Sequence, residues 1–210
     1  MGDQFKYAND REKDLIERCQ KGDEAAFAEI YQRFQGKVTG IIVGILRGPH
    51  QRDIEDVHQN VFIKVYRYIN AFDFRASLTT WMYRITVNEC YDFLRKRKVR
   101  SKVIYDSDIL IEKLSDRSAE YFRIDLVPDH TRNTHEDLAN AELLRLVLGK
   151  LSKEDRGLII LKYHRGLSIE ELVEITGINE NTIKVKLHRI CKKIIRKFPK
   201  RTPRRIAVTA

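Results

Sequence analysis

Residues 168–189 read SIEELVEITGINENTIKVKLHR, and this stretch decides the fold. Ser168 with Glu171 three positions on has the form of a capping box, which satisfies two of the orphan N–H groups that open a helix. Leu172 and Ile175 give that short helix an apolar face, and Gly177 supplies the left-handed residue on which a tight turn depends. Ile178 points inward and Asn179 caps a second helix, in which Ile183, Leu187, Ile190 and Ile194 recur at three- and four-residue steps. At about 100° per residue the opposite face carries Asn181, Val185, His188, Arg189 and Lys192, with Thr182, Lys184 and Lys186 at its flanks. The plan is helix-turn-helix. A polar and basic helix held from behind can enter a DNA major groove, its flanking lysines on phosphates and its outer residues at base edges.

The charge distribution agrees with a polyanionic partner. The 210 residues carry a net charge of +10, and at 42% hydrophobic and 33% charged they lie outside the composition of disordered chains. Residues 179–210 hold eleven Lys/Arg against one Glu, while residues 1–178 balance 29 basic groups with 29 acidic ones. A second basic block, residues 95–102, has six positive residues in eight, and residues 103–137 between the two blocks are locally −5. This predicts two contacts with a polyanion and a spacer that avoids it. The apolar run at residues 41–46 is too short to cross a bilayer, and residues 1–30 lack the apolar core of a secretory signal. Neither membrane insertion nor secretion is expected, and a cytoplasmic protein is. Cys19, Cys90 and Cys191 are odd in number and widely spaced without a CxxC pair, which argues against a zinc finger and a disulfide framework.

Working back towards the N-terminus, residues 10–100 read helical throughout, with five glycines, one proline and no period-two alternation. The β-branched run Ile41-Ile42-Val43 suits a strand equally well, but helices on both sides favour helix there. In residues 53–68, Ile54, Val57, Val61, Val65 and Tyr68 form one apolar stripe, with Asp53 and Asp56 at the positive end of the helix dipole. The opposite face offers Asp53, Asp56, Gln59, Asn60 and Lys64, a mixed acidic and amide surface that suits a protein partner better than DNA. Ser77 or Thr79 can cap a third helix running towards Lys98, on which Arg84, Asn88 and Arg95 share a face. Beside the short polar segment 72–80, that face can capture an unstacked base, through the donor and acceptor of Asn and the charge of Arg. Trp81, Tyr83 and Ile85 fit the core stripe, and Phe72 and Phe74 suit core or surface equally. The expected fold is all-α: two small helical domains, residues 1–100 and 138–199, an extended acidic linker at 101–137 and a basic tail at 200–210.

Two runs carry a family resemblance. Residues 53–97, DIEDVHQNVFIKVYRYINAFDFRASLTTWMYRITVNECYDFLRKR, contain D-x-x-D-x-x-Q-x-x-F and W-x-Y-R-I-x-x-N, and resemble region 2 of the extracytoplasmic-function (ECF) group of bacterial sigma factors. Residues 151–198, LSKEDRGLIILKYHRGLSIEELVEITGINENTIKVKLHRICKKIIRKF, are similar to region 4 of the same proteins. The resemblance implies a non-catalytic initiation factor without metal or cofactor, whose partners are core RNA polymerase, promoter DNA and an anti-sigma factor. It implies docking on the clamp of polymerase's largest subunit through Asp53, Asp56, Gln59, Asn60, Phe62 and Lys64. It implies that the melted −10 strand is held by Asp73, Phe74, Arg75, Ala76, Ser77 and Leu78, with Arg84, Asn88, Arg95 and Arg97 behind them. The −35 duplex would meet Asn181, Thr182, Lys184, Val185, Lys186, His188 and Arg189, and the acidic linker would thread through polymerase.

Two other readings stand beside this one. A stand-alone helix-turn-helix regulator would bind duplex DNA without polymerase. A metal-dependent nuclease would use His50, Asp53, Glu55, Asp56 and His58, although their spacing spreads them around a helix.

Overall fold

The computed structural model describes residues 10–46, 50–104 and 148–197, and among these all regular structure is helical. Helices α1 (Asp10–Gln20) and α2 (Glu24–Leu46) form a hairpin through Gly22, whose φ of 85° is the left-handed turn that glycine adopts without strain. Asp23 opens α2: its Oδ1 accepts from the Ala25 and Ala26 N–H groups at 2.9 and 3.2 Å, and Oδ2 pairs with Arg18 at 2.7 Å. The Arg18 hydrogen bond, with those two backbone bonds, holds the Asp23 carboxyl below its usual range. The run Ile41-Ile42-Val43 continues α2 as helix, and residues 41–46 are all buried. A helix apolar all round must be covered on several sides. Here α3, α4 and the second unit cover it.

Helix α3 (Gln51–Tyr68) buries Ile54, Val57, Val61 and Val65 as the stripe predicts, but Tyr68 is 56% exposed. The chain tightens after it into a 3-10 turn, Ile69–Ala71, which rotates Ile69 into the core place expected for Tyr68. Helix α4 (Leu78–Ile104) is capped by Ser77, whose Oγ accepts from the Thr80 N–H at 3.0 Å. It runs four residues past the expected boundary at residue 100. Its last turns contain no Gly or Pro, and they are rich in Lys and Arg, which favour the negative end of a helix. The remaining linker, the approach to the second unit and the basic tail lie outside the described residues.

The second unit comprises α5 (Lys153–Ile159), a π-helical turn (Ile160–His164), α6 (Ile169–Thr176) and α7 (Glu180–Lys197). Its local chemistry follows the sequence pattern closely. The Ser168–Glu171 capping box closes in both directions at 3.1 and 2.8 Å, and Gly177 sits at φ 68°. The Asn179 side chain accepts from the Thr182 N–H at 2.8 Å. Leu172, Ile175, Ile183, Leu187, Ile190 and Ile194 are buried.

The two units share one continuous apolar core, α5, the π-turn and α6 packing on α2 and α4. Phe34, fully buried in α2, lies in that core. Phe34→Ala should cost about 3–5 kcal/mol of unfolding free energy in a urea titration, and a loss below about 1 kcal/mol would contradict this packing.

Candidate functional site

Three surfaces were expected from the sequence, and the structure treats them differently. On α3, Asp56, Gln59 and Asn60 face outward. The other three residues expected there turn towards neighbouring helices. Asp53 is half-buried: its Oδ2 accepts from the His50 N–H at 3.2 Å and lies 3.6 Å from Arg97 Nη1 of α4. Lys64 pairs with Glu89 of α4. Phe62 is only 6% exposed, its ring 4.6 Å from Tyr31 and 4.9 Å from His58. These three are anchors of the face rather than its outer surface, because an aspartate, a lysine and an aromatic ring next to α2 and α4 find partners inside the protein first.

The sequence reading missed an apolar patch beside them. Tyr31, Ile63 and Tyr66 are exposed, and Phe27 meets Tyr66 edge-on at 5.1 Å. With His58 and Phe62 they line a shallow groove between α2 and α3. The signal was present: Ile63 and Tyr66 fall off the buried stripe of α3, and apolar residues on an otherwise polar face mark a contact surface. Burial among these rings lowers the His58 pKa, partly opposed by a backbone hydrogen bond at Gln35. The nuclease set is not assembled, and among the described residues no three His, Cys, Asp or Glu side chains gather as metal ligands.

The second surface joins the loop before α4 to α4 itself. Phe72 is buried, with Phe74 5.1 Å and Trp81 5.3 Å from its ring, so this aromatic ladder is a support and not a free platform. Phe74 adopts φ 62°, a left-handed conformation uncommon for a bulky residue. Asp73 and Arg75 are exposed and pair at 2.8 Å, Ala76 and Ser77 are half-buried, and Leu78 is fully buried. Leu78 therefore belongs to the core and not to an open pocket, since the first apolar position of α4 packs inward once Ser77 caps it. From α1, Gln20 Nε2 donates to the Ile69 and Phe72 carbonyls at 3.0 Å each and fixes the loop from below. No pattern in the sequence links Gln20 to residues some fifty positions away. Arg84, Asn88 and Arg95 are exposed along α4 as expected. Arg95 pairs with Asp92 at 2.9 Å, and Arg97 reaches Asp53.

The third surface is α7. Asn181, Thr182, Lys184, Val185 and Arg189 are exposed, and Lys186 and His188 are half-buried at the flanks. Val185, 48% exposed, is an apolar contact on an otherwise polar face. Lys184 and Glu180 pair at 2.5 Å, and that hydrogen bond raises the Lys184 pKa. The three cysteines are buried thiols. Burial pushes Cys19 up to about 11 and Cys90 further in the same direction, which leaves them poor nucleophiles at neutral pH.

Comparison with known proteins gives this arrangement a family. The sigma-70 region 2 model matches residues 30–100, and the sigma-70 region 4 model matches residues 141–194. The chain is 32% identical to the ECF RNA polymerase sigma-E factor of Haemophilus influenzae over 178 residues, which is 83% of this chain and 88% of that protein. It is 30% identical to the ECF RNA polymerase sigma factor SigW of Bacillus subtilis over 177 residues, 84% of this chain and 91% of the relative. The same fold occurs in CnrH, solved in complex with the cytosolic domain of CnrY, at a TM-score of 0.59 and 18% identity, covering 90% of this chain and 97% of that one. The chain belongs to the ECF group of the sigma-70 family and is a promoter-directing transcription initiation factor. No helix among the described residues is long and apolar enough to cross a membrane.

The lowered His58 pKa has a consequence for stability. A neutral imidazole is favoured in the folded protein, so its contribution is complete above the ordinary value near 6.5 and is lost as pH falls below it. Acidification from about pH 7.5 to about pH 5.5 should lower the melting temperature of the wild type more than that of His58→Phe. Equal losses in a calorimetric series would contradict the burial of His58.

Proposed function

We propose that this chain divides promoter recognition among the three surfaces described above and requires core RNA polymerase to use them together. The observation that carries the reading is that one chain presents two exposed polar surfaces of different chemistry. Helix α7 offers a convex polar face suited to a duplex groove, with Lys184, Val185, His188 and Arg189 towards bases and Thr182 and Lys186 towards phosphates. The 73–77 loop and, further along α4, the exposed amide of Asn88 offer polar groups that suit an unpaired base whose Watson–Crick edge is free. A stand-alone regulator of duplex DNA has use for the first surface alone.

In this reading Asp56, Gln59 and Asn60, together with the Tyr31–Ile63–Tyr66 patch, meet the clamp of the polymerase's largest subunit. A polar rim beside an apolar, aromatic centre is the ordinary anatomy of a protein interface. Arg84 and the basic end of α4 neutralise the non-template strand. The protein acts in the cytoplasm, where polymerase works, and catalyses no reaction itself. An anti-sigma factor is a further partner, as NepR is for the sigma factor RpoE of Bartonella quintana.

Asp56→Arg with Gln59→Ala should abolish capture of core polymerase while leaving helical content unchanged, because both side chains are exposed. Undiminished pull-down would remove the α3 assignment. For the melting surface, Asn88→Ala holoenzyme should initiate poorly on closed duplex promoter and recover in part on a template with a pre-opened −10 bubble. Flipping costs a few kcal/mol, and least where the strand is already open. Abortive transcription on matched duplex and bubble templates reads the difference, and duplex opening at the wild-type rate would overturn the base-pocket role.

A further inference from the structure

We propose that Val185 reads a thymine of the −35 element through the C5 methyl group of that base, and so fixes one position at which the promoters of this protein carry a T·A pair. The inference rests on the promoter-reading function proposed above and adds the chemical identity of one contact.

Of the large hydrophobics exposed among the described residues, Tyr31, Ile63, Tyr66 and Tyr68 lie on α2 and α3, and Val185 alone lies in the second unit. It is 48% exposed, whereas Ile183 and Leu187 on either side of it are 0% and 4% exposed. At about 100° per residue, Val185 points within about 40° of the direction opposite each of Ile183, Leu187, Ile190 and Ile194. All four of those are buried, so Val185 stands at the centre of the outer face of α7. Asn181 and Arg189 flank it one turn before and one turn after, and both are exposed. Single exposed apolar residues are ordinary on a protein surface. This one holds the position that a groove-bound helix drives deepest. The helix gains nothing from valine there, because a β-branched residue is a poorer helix former than alanine, lysine or glutamine.

In the major groove only thymine among the four bases presents a methyl group. Guanine and adenine show N7 acceptors, and cytosine shows an amino donor. An isopropyl side chain over one of those polar edges strips its water and offers no hydrogen bond in return. Over a thymine methyl, both partners lose apolar surface to each other. Valine also suits the task entropically, since its single stiff side-chain torsion leaves little freedom to lose on docking. Burial of one methyl group is worth about a three- to fivefold change in affinity.

The test uses the full-length protein with core polymerase. Selection from a promoter library randomised at the −35 element defines the preferred sequence. Each thymine of that element, on either strand, is then replaced in turn by deoxyuridine, which removes the methyl group and keeps every hydrogen-bonding group. One replacement should weaken wild-type holoenzyme about three- to fivefold in competition binding. The same replacement should leave Val185→Ser holoenzyme unchanged. At that position 5-methylcytosine should bind the wild type better than cytosine, and the variant should not distinguish the two. Val185 is exposed, so serine opens no cavity, and circular dichroism checks that helical content is kept. A preferred element without thymine, a wild type indifferent to every deoxyuridine, or a variant that keeps the full sensitivity overturns the proposal. If the wild-type holoenzyme selects no −35 sequence at all, the promoter-reading function of α7 fails, and this inference with it.

Discussion

The C-terminal end of α2 is the point on which the molecule turns. A helix end leaves carbonyl groups without intrahelical partners and concentrates partial negative charge there. The last turn of α2 holds no basic residue, and its residues are buried, so water cannot serve those groups freely. The partner comes from the other unit: Arg156, 111 positions away, places its guanidinium on the Ile45 carbonyl. At 6% exposure that arginine is itself costly to bury unless its donors are engaged. Each group relieves a burial problem that the other would otherwise have, which fixes where α5 can sit on α2.

The apolar chemistry follows from that placement. The second half of α2 is hydrophobic on every face because α3, α4 and the α5 segment each claim one. Gly44 lets Ile160 approach its backbone, and Gly157 lets Tyr91 approach α5. Burial against the second unit raises the Tyr91 pKa, Glu154 adding to the effect and Arg156 opposing it. Helix α4 is thus held between α3 on one side, through Lys64–Glu89 and Asp53–Arg97, and α6 on another, through Thr80–Glu171. The helix that carries Asn88 and Arg84 is therefore tied to its neighbours on two sides.

Local rules make much of this legible in the sequence alone. Caps at Ser77, Ser168 and Asn179, the left-handed Gly177, and the stripes of α3 and α7 are encoded within a few residues of where they act. The failures are all non-local. Tyr68 fits the α3 stripe by spacing, yet a one-step tightening of the backbone hands its place to Ile69. Lys64 looks outward by helical period, and Phe62 is expected at a docking face by the family resemblance alone, but Glu89 of α4 and Tyr31 of α2 draw them in. The support of the loop by Gln20 joins residues with no sequence relation. Periodicity shows which face of a helix is polar, and only the neighbouring helix decides whether a polar side chain on that face stays free.

The same limit applies to charge. A surplus of +10 suggests strong affinity for any nucleic acid, but several cations on the three surfaces already have carboxylate partners. Arg95 pairs with Asp92, Arg97 with Asp53, Arg75 with Asp73 and Lys184 with Glu180. Exposed pairs of this kind are worth about 0–1 kcal/mol, so a phosphate in the right position displaces the carboxylate at little cost. A phosphate approaching elsewhere meets the carboxylate's repulsion as well as the cation's pull. Pairing therefore suppresses indiscriminate binding more than it weakens bound promoter, because only a correctly placed strand replaces every displaced partner at once. For an initiation factor whose DNA contacts matter after polymerase has positioned it, that discrimination is worth more than raw affinity.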